Sequence, residues 1–269
     1  MFLFAAILIT SCSSDDSDEG YNSEKAITHF VNNAIITTKQ GNRVRIKSIS
    51  DRNNTINFIY DSQNRIVKIE ENDDPGHCLE FSYDPFKMVR YGSNNNPVSE
   101  HLFTLNRNGY IEREQVTKTK NRDGNTWFIT TTYLYNYDSD GHMTSCVQEG
   151  DPSSIINFKW EDGCLKKFLE YSDVQNNLCQ FTGHFVYHFR YNEYYLLQYV
   201  TYLGLYGKPS RLLPTKHYGG KDREGDGISY DITYDYNKDG TISNEHEIYT
   251  YSSPNRIVST YSYQYESVE

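Results

Sequence analysis

The sequence predicts an all-β protein, an antiparallel meander of β-hairpin repeats that forms one strongly curled or barrel-like sheet. Apolar and polar residues alternate along many segments, as where Tyr230, Ile232 and Tyr234 are separated by Asp and Thr. A period of two is typical of strands that bury one face. A turn motif also recurs, and no linker rich in Pro, Gly or Ser interrupts the chain. We expect about 14 to 16 strands, and an open twisted sheet seldom exceeds about 10, which favours curling.

The first element is an apolar leader, MFLFAAILIT, which is shorter than the about 20 residues that a membrane-spanning helix needs. The segment Leu8-Ile9-Thr10-Ser11-Cys12 resembles a bacterial lipobox. This resemblance implies a signal peptide over residues 1–11, cleavage before Cys12 and a lipid on the Cys12 thiol. The alternative is a buried N-terminal strand with a free cysteine.

The second element, residues 12–22, contains the run Ser-Ser-Asp-Asp-Ser-Asp-Glu-Gly. Such a run has no apolar side chains to bury, so it predicts a disordered tether. It also resembles the acidic export signal of surface lipoproteins of the Bacteroidota. We therefore expect an outer-membrane lipoprotein that is exposed on the cell surface and held to the membrane through Cys12.

The third element is a single all-β domain over residues 23–269. It begins with a short helix expected from Ser23 to Ala34, with Ser23 as its N-cap. The net charge of the chain is −10, which argues against a nucleic-acid partner because phosphate binding needs clustered Lys and Arg. No motif calls for a cofactor, and we expect none.

The turn motif is an aromatic or apolar residue, usually Asp or Asn next, often Gly or Asn at the fifth position, and an aliphatic residue or Met at the seventh. An Asp or Asn side chain accepts hydrogen bonds from backbone groups further along, and Gly or Asn tolerates the positive φ of a tight turn. The motif therefore predicts hairpins, with much of the tyrosine content in one structural ladder. The full-length copies are YDSQNRI from Tyr60, YDPFKMV from Tyr83, LNRNGYI from Leu105, YDSDGHM from Tyr137, YNKDGTI from Tyr236 and YSSPNRI from Tyr251.

These copies resemble the YD repeats of RHS-type proteins, and more closely an uncharacterised family of Bacteroidota lipoproteins built from such repeats. The resemblance covers residues 43–269, and the segment from Gly207 to Pro214 is similar to a Gly-x-x-Ser-x-x-Leu-Pro signature of that family. The family implies a fold and a location, and it has no established activity.

Cysteines other than Cys12 are expected to be free, buried thiols, although export permits disulfides and four cysteines allow three pairings. No CxxC motif suggests zinc. The four are Cys78, Cys146, Cys164 and Cys179.

Two patterns suggest a metal at first sight. His184 and His188 lie in a strand-like alternation, which separates them by about 13 Å, so they do not chelate one ion. Asp235, Asn237 and Asp239 match the start of a calcium loop, but His246 stands where the bidentate Glu belongs. The same residues are explained by a hairpin turn, and we expect no metal.

For function, no nucleophile motif calls for an enzyme. The lipid anchor and the many aromatic residues favour a binding module for an extracellular glycan or protein. The segment from Leu203 to Ile228 has the longest stretch without strand pattern, and we expect binding there through Tyr206, His217 and Tyr218. The alternatives are a structural envelope component without a ligand, or a polysaccharide hydrolase that uses two carboxylates.

Overall fold

The computed structural model describes residues 23–92, 95–122, 125–168, 173–176, 203–221, 227–251 and 256–268. These residues form one helix, α1 (Glu24–Asn33), and 17 strands of one antiparallel sheet. The first nine strands are β1 (Ile36–Thr37), β2 (Arg43–Ser50), β3 (Thr55–Tyr60), β4 (Ile66–Glu71), β5 (Cys78–Tyr83), β6 (Phe86–Tyr91), β7 (Pro97–Leu105), β8 (Ile111–Arg122) and β9 (Asn125–Tyr137). The others are β10 (Met143–Gln148), β11 (Asp151–Glu161), β12 (Cys164–Phe168), β13 (Asp173–Asn176), β14 (Pro214–Lys221), β15 (Gly227–Tyr236), β16 (Ile242–Tyr251) and β17 (Arg256–Ser267).

Strand order follows chain order. From β2 to β17, each strand pairs antiparallel with the next one along the chain. The last strand, β17, pairs with β2, from Ser262 opposite Ser50 to Ser267 opposite Val44. The short strand β1 pairs with the start of β2.

The predicted turn chemistry is confirmed at several hairpins. In the β3–β4 turn the Asp61 carboxylate accepts hydrogen bonds from the backbone N–H groups of Gln63 and Arg65, and Asn64 has a φ of 64°. Asn106 and Asp138 accept from the equivalent backbone groups in the β7–β8 and β9–β10 turns, followed by a glycine at positive φ. The motif therefore encodes a local turn.

The predicted fold class, a meander of YD-type hairpin repeats in a strongly curled or barrel-like sheet, was wrong as stated. The all-β, antiparallel part is confirmed. However, the strands range from two residues in β1 to 13 in β9, so the hairpins are not copies of one unit. A helix and a strandless segment, residues 203–213, also supply core residues that no hairpin repeat contains. The architecture is one irregular antiparallel sheet with these two pieces packed against its turns.

Helix α1 forms as the sequence predicts, with the Ser23 hydroxyl accepting a hydrogen bond from the Ala26 N–H. It docks on the β7–β8 turn through His29, whose Nδ1 lies 2.7 Å from the Arg107 carbonyl oxygen, and through Asn33, which donates to the Asn108 carbonyl. The Phe30 ring is fully buried against Phe86, with 5.2 Å between the ring centroids. The helix therefore covers one turn and fills the core beneath it.

The segment of residues 203–213 ties several turns together. Its Leu205 carbonyl accepts a hydrogen bond from the Ile111 N–H, and its Lys208 N–H donates to the Gly141 carbonyl. Ser210 is buried, and its hydroxyl accepts from the Leu165 N–H at 2.9 Å. The prediction of a long strandless loop from Leu203 to Ile228 was wrong beyond residue 213, because β14 and the start of β15 lie within that range.

One continuous hydrophobic cluster joins α1, the strandless segment and both ends of the described sheet. In the part of the chain that the structure describes, no helix has the length and apolar character needed to cross a membrane. The leader and tether, residues 1–22, lie outside the described residues.

Candidate interaction surface

The β8–β9 hairpin extends beyond its neighbouring strands. Strand β8 pairs with β7 only as far as Lys118, opposite Ser99. Strand β9 pairs with β10 as far as Tyr133, opposite Gln148, and one further hydrogen bond joins the Glu149 N–H to the Thr132 carbonyl. Among the described residues, residues 119–122 thus pair only with β9, and residues 125–131 pair only with β8. We call these residues the hairpin tip.

The hairpin tip exposes three consecutive large apolar side chains. The exposed fractions are 41% for Trp127, 68% for Phe128 and 45% for Ile129. Because successive side chains on a strand point to opposite faces, Trp127 and Ile129 lie on one face and Phe128 on the other. Apolar side chains exposed together on a projecting element indicate an interaction site.

Cross-strand hydrogen bonds hold the hairpin tip in a regular ladder. The Thr126 hydroxyl donates to the Asn121 side-chain oxygen at 2.6 Å, and the hydroxyls of Thr117 and Thr130 lie 3.1 Å apart. Lys120 stands opposite Trp127 in the pairing register. The tip therefore presents an ordered strand, with its apolar side chains in fixed register.

The sequence-predicted contact residues lie elsewhere. Tyr206 is 8% exposed and belongs to the core, where its ring packs against Tyr135 at 5.4 Å between centroids, so most of its side chain is used in packing. His217 and Tyr218 lie in strand β14, where the backbone register places them opposite Tyr230 and Ser229. A contact role for His217 and Tyr218 stays a prediction.

The candidate calcium residues lie at the β15–β16 turn. Asp239 accepts hydrogen bonds from the backbone and hydroxyl of Thr241, and Asn237 donates to the same hydroxyl. Asp235 Oδ2 lies 3.1 Å from His246 Nε2. Across the described ranges, no group of three or more His, Cys, Asp or Glu side chains is arranged to hold a metal ion. The turn contacts account for these polar groups.

Cys78, Cys146 and Cys164 are buried and form no disulfide, as expected. Cys12, Cys179, His184 and His188 lie outside the described residues.

A buried polar cluster joins β7, β8 and β9. His101 Nε2 lies 3.0 Å from the Ser99 hydroxyl and His101 Nδ1 lies 2.7 Å from Glu114, whose second oxygen accepts a hydrogen bond from Tyr135. This hydrogen-bond order resembles that of a serine hydrolase. The exposed fractions of Ser99, His101 and Glu114 are 2%, 1% and 0%, which denies a substrate access to the hydroxyl. The cluster serves to satisfy a buried carboxylate.

Two acidic residues, Glu245 and Glu247, lie on one side of β16. Residues two apart on a strand share a face, about 7 Å from each other. The Tyr263 hydroxyl donates to Glu245 at 2.7 Å, and Glu247 is buried. Burial of its carboxyl group and the nearby charge of Glu247 raise the pKa of Glu245 to about 8, although the Tyr263 hydrogen bond opposes this. The spacing fits a glycosidase pair, but the burial of Glu247 favours a structural role.

Sequence reasoning missed Trp127, Phe128 and Ile129. A usable signal was present, because the 13 residues of β9, NTWFITTTYLYNY, contain no charged side chain. An uncharged strand sequence of this length is expected to be covered, and the structure leaves its first six residues exposed.

No protein-family model matches the chain, and no curated protein matches it either. Sixteen chains of solved structures do match. A porin-like protein from Bacteroides uniformis ATCC 8492 is 16% identical, with 86% of this chain and 94% of that chain covered at a TM-score of 0.51. A porin-like protein from Bacteroides vulgatus ATCC 8482 is 11% identical, with 81% and 97% covered at a TM-score of 0.52. The chain therefore shares its fold with porin-like proteins of Bacteroides.

Proposed function

We propose that this chain is a surface-exposed outer-membrane lipoprotein that binds a protein partner through its β8–β9 hairpin tip. The single observation that carries the binding role is the exposure of Trp127, Phe128 and Ile129 on a projecting, regularly paired hairpin. Large apolar and aromatic side chains dominate the energetics of protein interfaces. A surface that exposes three of them in succession is therefore suited to docking.

The location is supported by two independent features. The lipobox-like segment ending at Cys12 and the acidic run after it fit a lipid-anchored, exported chain. The fold is shared with Bacteroides proteins described as porin-like, which fits an association with the outer membrane of the Bacteroidota. Both features support membership of the uncharacterised lipoprotein family that the sequence resembles.

A protein partner is favoured over a glycan by the form of the surface. The tip offers a backbone edge along residues 125–131 as well as apolar side chains on both faces. Another polypeptide strand can use the N–H and C=O groups of such an edge in a regular ladder. A sugar can stack on Trp127, but it has no means to continue the ladder.

The test places a photoreactive benzophenone amino acid at position 128 of the full chain, expressed in its native membrane. Irradiation of intact cells is expected to give a covalent adduct with a protein. The matched control carries the same amino acid at position 155, because Ile155 is a similarly exposed apolar residue, at 48%, on strand β11.

An adduct that forms at position 128 and not at position 155 supports the proposal. Equal adducts at both positions, or none at position 128, overturn it and favour a structural envelope component without a partner. If the chain binds to a glycan array and Phe128→Ala loses that binding, the proposed protein partner is also overturned. The partner of the tip would then be a carbohydrate.

A further inference from the structure

We infer that the partner of the hairpin tip is a second copy of this chain, joined by antiparallel pairing of the two β9 strands about Phe128. The inference rests on the proposed function of the tip and names its partner. The pairing buries the apolar side chains of both tips and lets each β9 continue the other's ladder.

The first argument is the backbone edge of β9 in the tip, which has no partner strand among the described residues. Residues 125–131 have β8 on one side, and the pairing with β10 on the other side ends at Thr132 and Tyr133. Residues 125–130 are all exposed. An edge strand that is long, apolar and exposed is a template for pairing with another chain.

The second argument is the difference between the two edges of the tip. The β8 side carries Lys120 and Arg122, and charged residues on an edge discourage pairing with another strand. The β9 side carries no charge, and it is rich in Thr, aromatic and β-branched residues, which favour strands. Only one of the two edges is therefore open to a partner.

The third argument is register. The free edge runs from residue 125 to residue 131, so its midpoint is Phe128. When this edge pairs along its whole length with the same edge of a second copy, Phe128 lies opposite Phe128 of that copy. In the same register, Trp127 lies opposite Ile129, and Thr126 lies opposite Thr130. Every one of these opposite pairs is uncharged, and aromatic residues opposite aromatic or β-branched ones stabilise antiparallel strands.

The size of the contact predicts a reversible dimer. Seven residues from each chain bury less than a standard interface of about 1,600 Å². A shared membrane raises the effective concentration of anchored copies, which compensates for a small interface. The self-pairing is therefore expected on cells and at high protein concentration in solution.

The experiment traps the pairing with a disulfide. In the full chain on intact cells, Phe128→Cys is expected to give a disulfide-linked dimer on mild oxidation, because position 128 of one copy faces position 128 of the other within disulfide reach. Added thiol should reverse the dimer. Thr126→Cys is the matched control on the same edge. Its two thiols would be four strand positions apart, about 13 Å, so no dimer is expected.

A second measurement uses light scattering on the full chain extracted in detergent. The wild type and Ile155→Lys are expected to show a mass that rises with concentration to that of a dimer, and Phe128→Lys the mass of a monomer. Phe128 is 68% exposed, so the substitution leaves the fold intact. Equal disulfide dimers in both cysteine variants, or a monomeric wild type at every concentration, overturn the inference.

The two proposals fail separately. If the benzophenone at position 128 captures a different protein and Phe128→Cys gives no dimer, the docking function stands and the self-pairing falls. If position 128 captures nothing and Phe128→Cys gives no dimer, both fall.

Discussion

At the scale of single residues, the molecule buries carboxylates in two ways. Glu114 is surrounded by hydrogen-bond donors, His101 on one oxygen and Tyr135 on the other. Glu245 has the Tyr263 hydroxyl, but it also faces the charge of Glu247. Because burial disfavours the charged form and the nearby charge of Glu247 disfavours a second one, the pKa of Glu245 is raised to about 8.

This pKa predicts that the protein loses stability as pH rises through the neutral range. The pKa of Glu245 is raised from its ordinary value near 4.5 to about 8 in the folded chain. Between these values the folded state binds more protons than the unfolded state. The contribution of Glu245 to the free energy of unfolding is therefore largest below pH 4.5. It falls by up to about 1.4 kcal/mol per pH unit until pH 8. Urea unfolding from pH 4 to pH 9 measures it.

Glu245→Gln replaces the neutral carboxyl group with an amide of the same shape. We expect this variant to lose the decline and to exceed the wild type in stability above pH 8. Glu161→Gln removes one negative charge at an exposed position and controls for net charge. Parallel curves for the wild type and Glu245→Gln would contradict the assignment.

At the scale of elements, the turns connect to one another through aromatic side chains. The Tyr83 hydroxyl donates to the carbonyl of Ile66, which follows the β3–β4 turn, and the Tyr137 hydroxyl donates to the carbonyl of Ile111, which follows the β7–β8 turn. The Trp160 indole N–H does the same to the Met143 carbonyl. Each of these three aromatic residues thus secures its hairpin to an earlier one, which explains part of the tyrosine content.

The docking of α1 on the β7–β8 turn can be tested with two glycines in turns of the same hydrogen-bond pattern. Gly109 has a φ of 77°, and a Cβ there would lie 2.3 Å from the Phe30 backbone nitrogen. Gly41 has a φ of 84° and open space around it. Gly41→Ala is expected to cost about 1 to 2 kcal/mol from the left-handed backbone alone.

Gly109→Ala is expected to cost at least about 2 kcal/mol more than Gly41→Ala, because it also displaces the helix from the core. Chemical unfolding of both variants measures the difference. Equal losses would show that α1 contributes little through this contact, and the buried position of Phe30 would then need another explanation.

The same elements show what the sequence could predict. Turns were readable because Asp61, Asn106 and the glycines act within a few residues of themselves. The core position of Tyr206 could not be predicted from the sequence. An aromatic residue in a strandless segment has the same local pattern whether it is buried or exposed. The Gly207 to Pro214 segment was recognisable, but its role in joining turns depends on contacts such as Ser210 with Leu165, 45 residues apart.

At the scale of the whole molecule, the two ends of the described chain meet where β17 pairs with β2. Arg45 secures this junction, because its guanidinium donates to Glu266 at 2.7 Å and to the carbonyl and side-chain oxygens of Asn64. The same group lies 3.7 Å above the centre of the Tyr60 ring. One side chain thus joins β2, β17 and the β3–β4 turn across 221 residues of sequence.

Replacing Arg45 tests how cooperatively the sheet unfolds. Arg45→Met keeps the apolar stem but leaves Glu266 and Asn64 without their donor, and we expect a loss of about 2 to 4 kcal/mol. Because the hydrophobic cluster runs without a break from Ile46 and Tyr263 into the other strands, the loss should spread through the sheet. Native-state hydrogen exchange should therefore show protection falling by the same amount in β2, in β17 and in distant strands such as β6.

Arg43→Met is the matched control on the same strand, since its exposed guanidinium makes a single hydrogen bond of 3.1 Å to Asn32. That variant is expected to change stability by less than about 0.5 kcal/mol. A fall in protection confined to β2 and β17 in Arg45→Met would contradict the prediction. The junction of the chain ends would then be a separable unit, and the sheet would owe its stability to local hairpins and not to the pairing of β17 with β2.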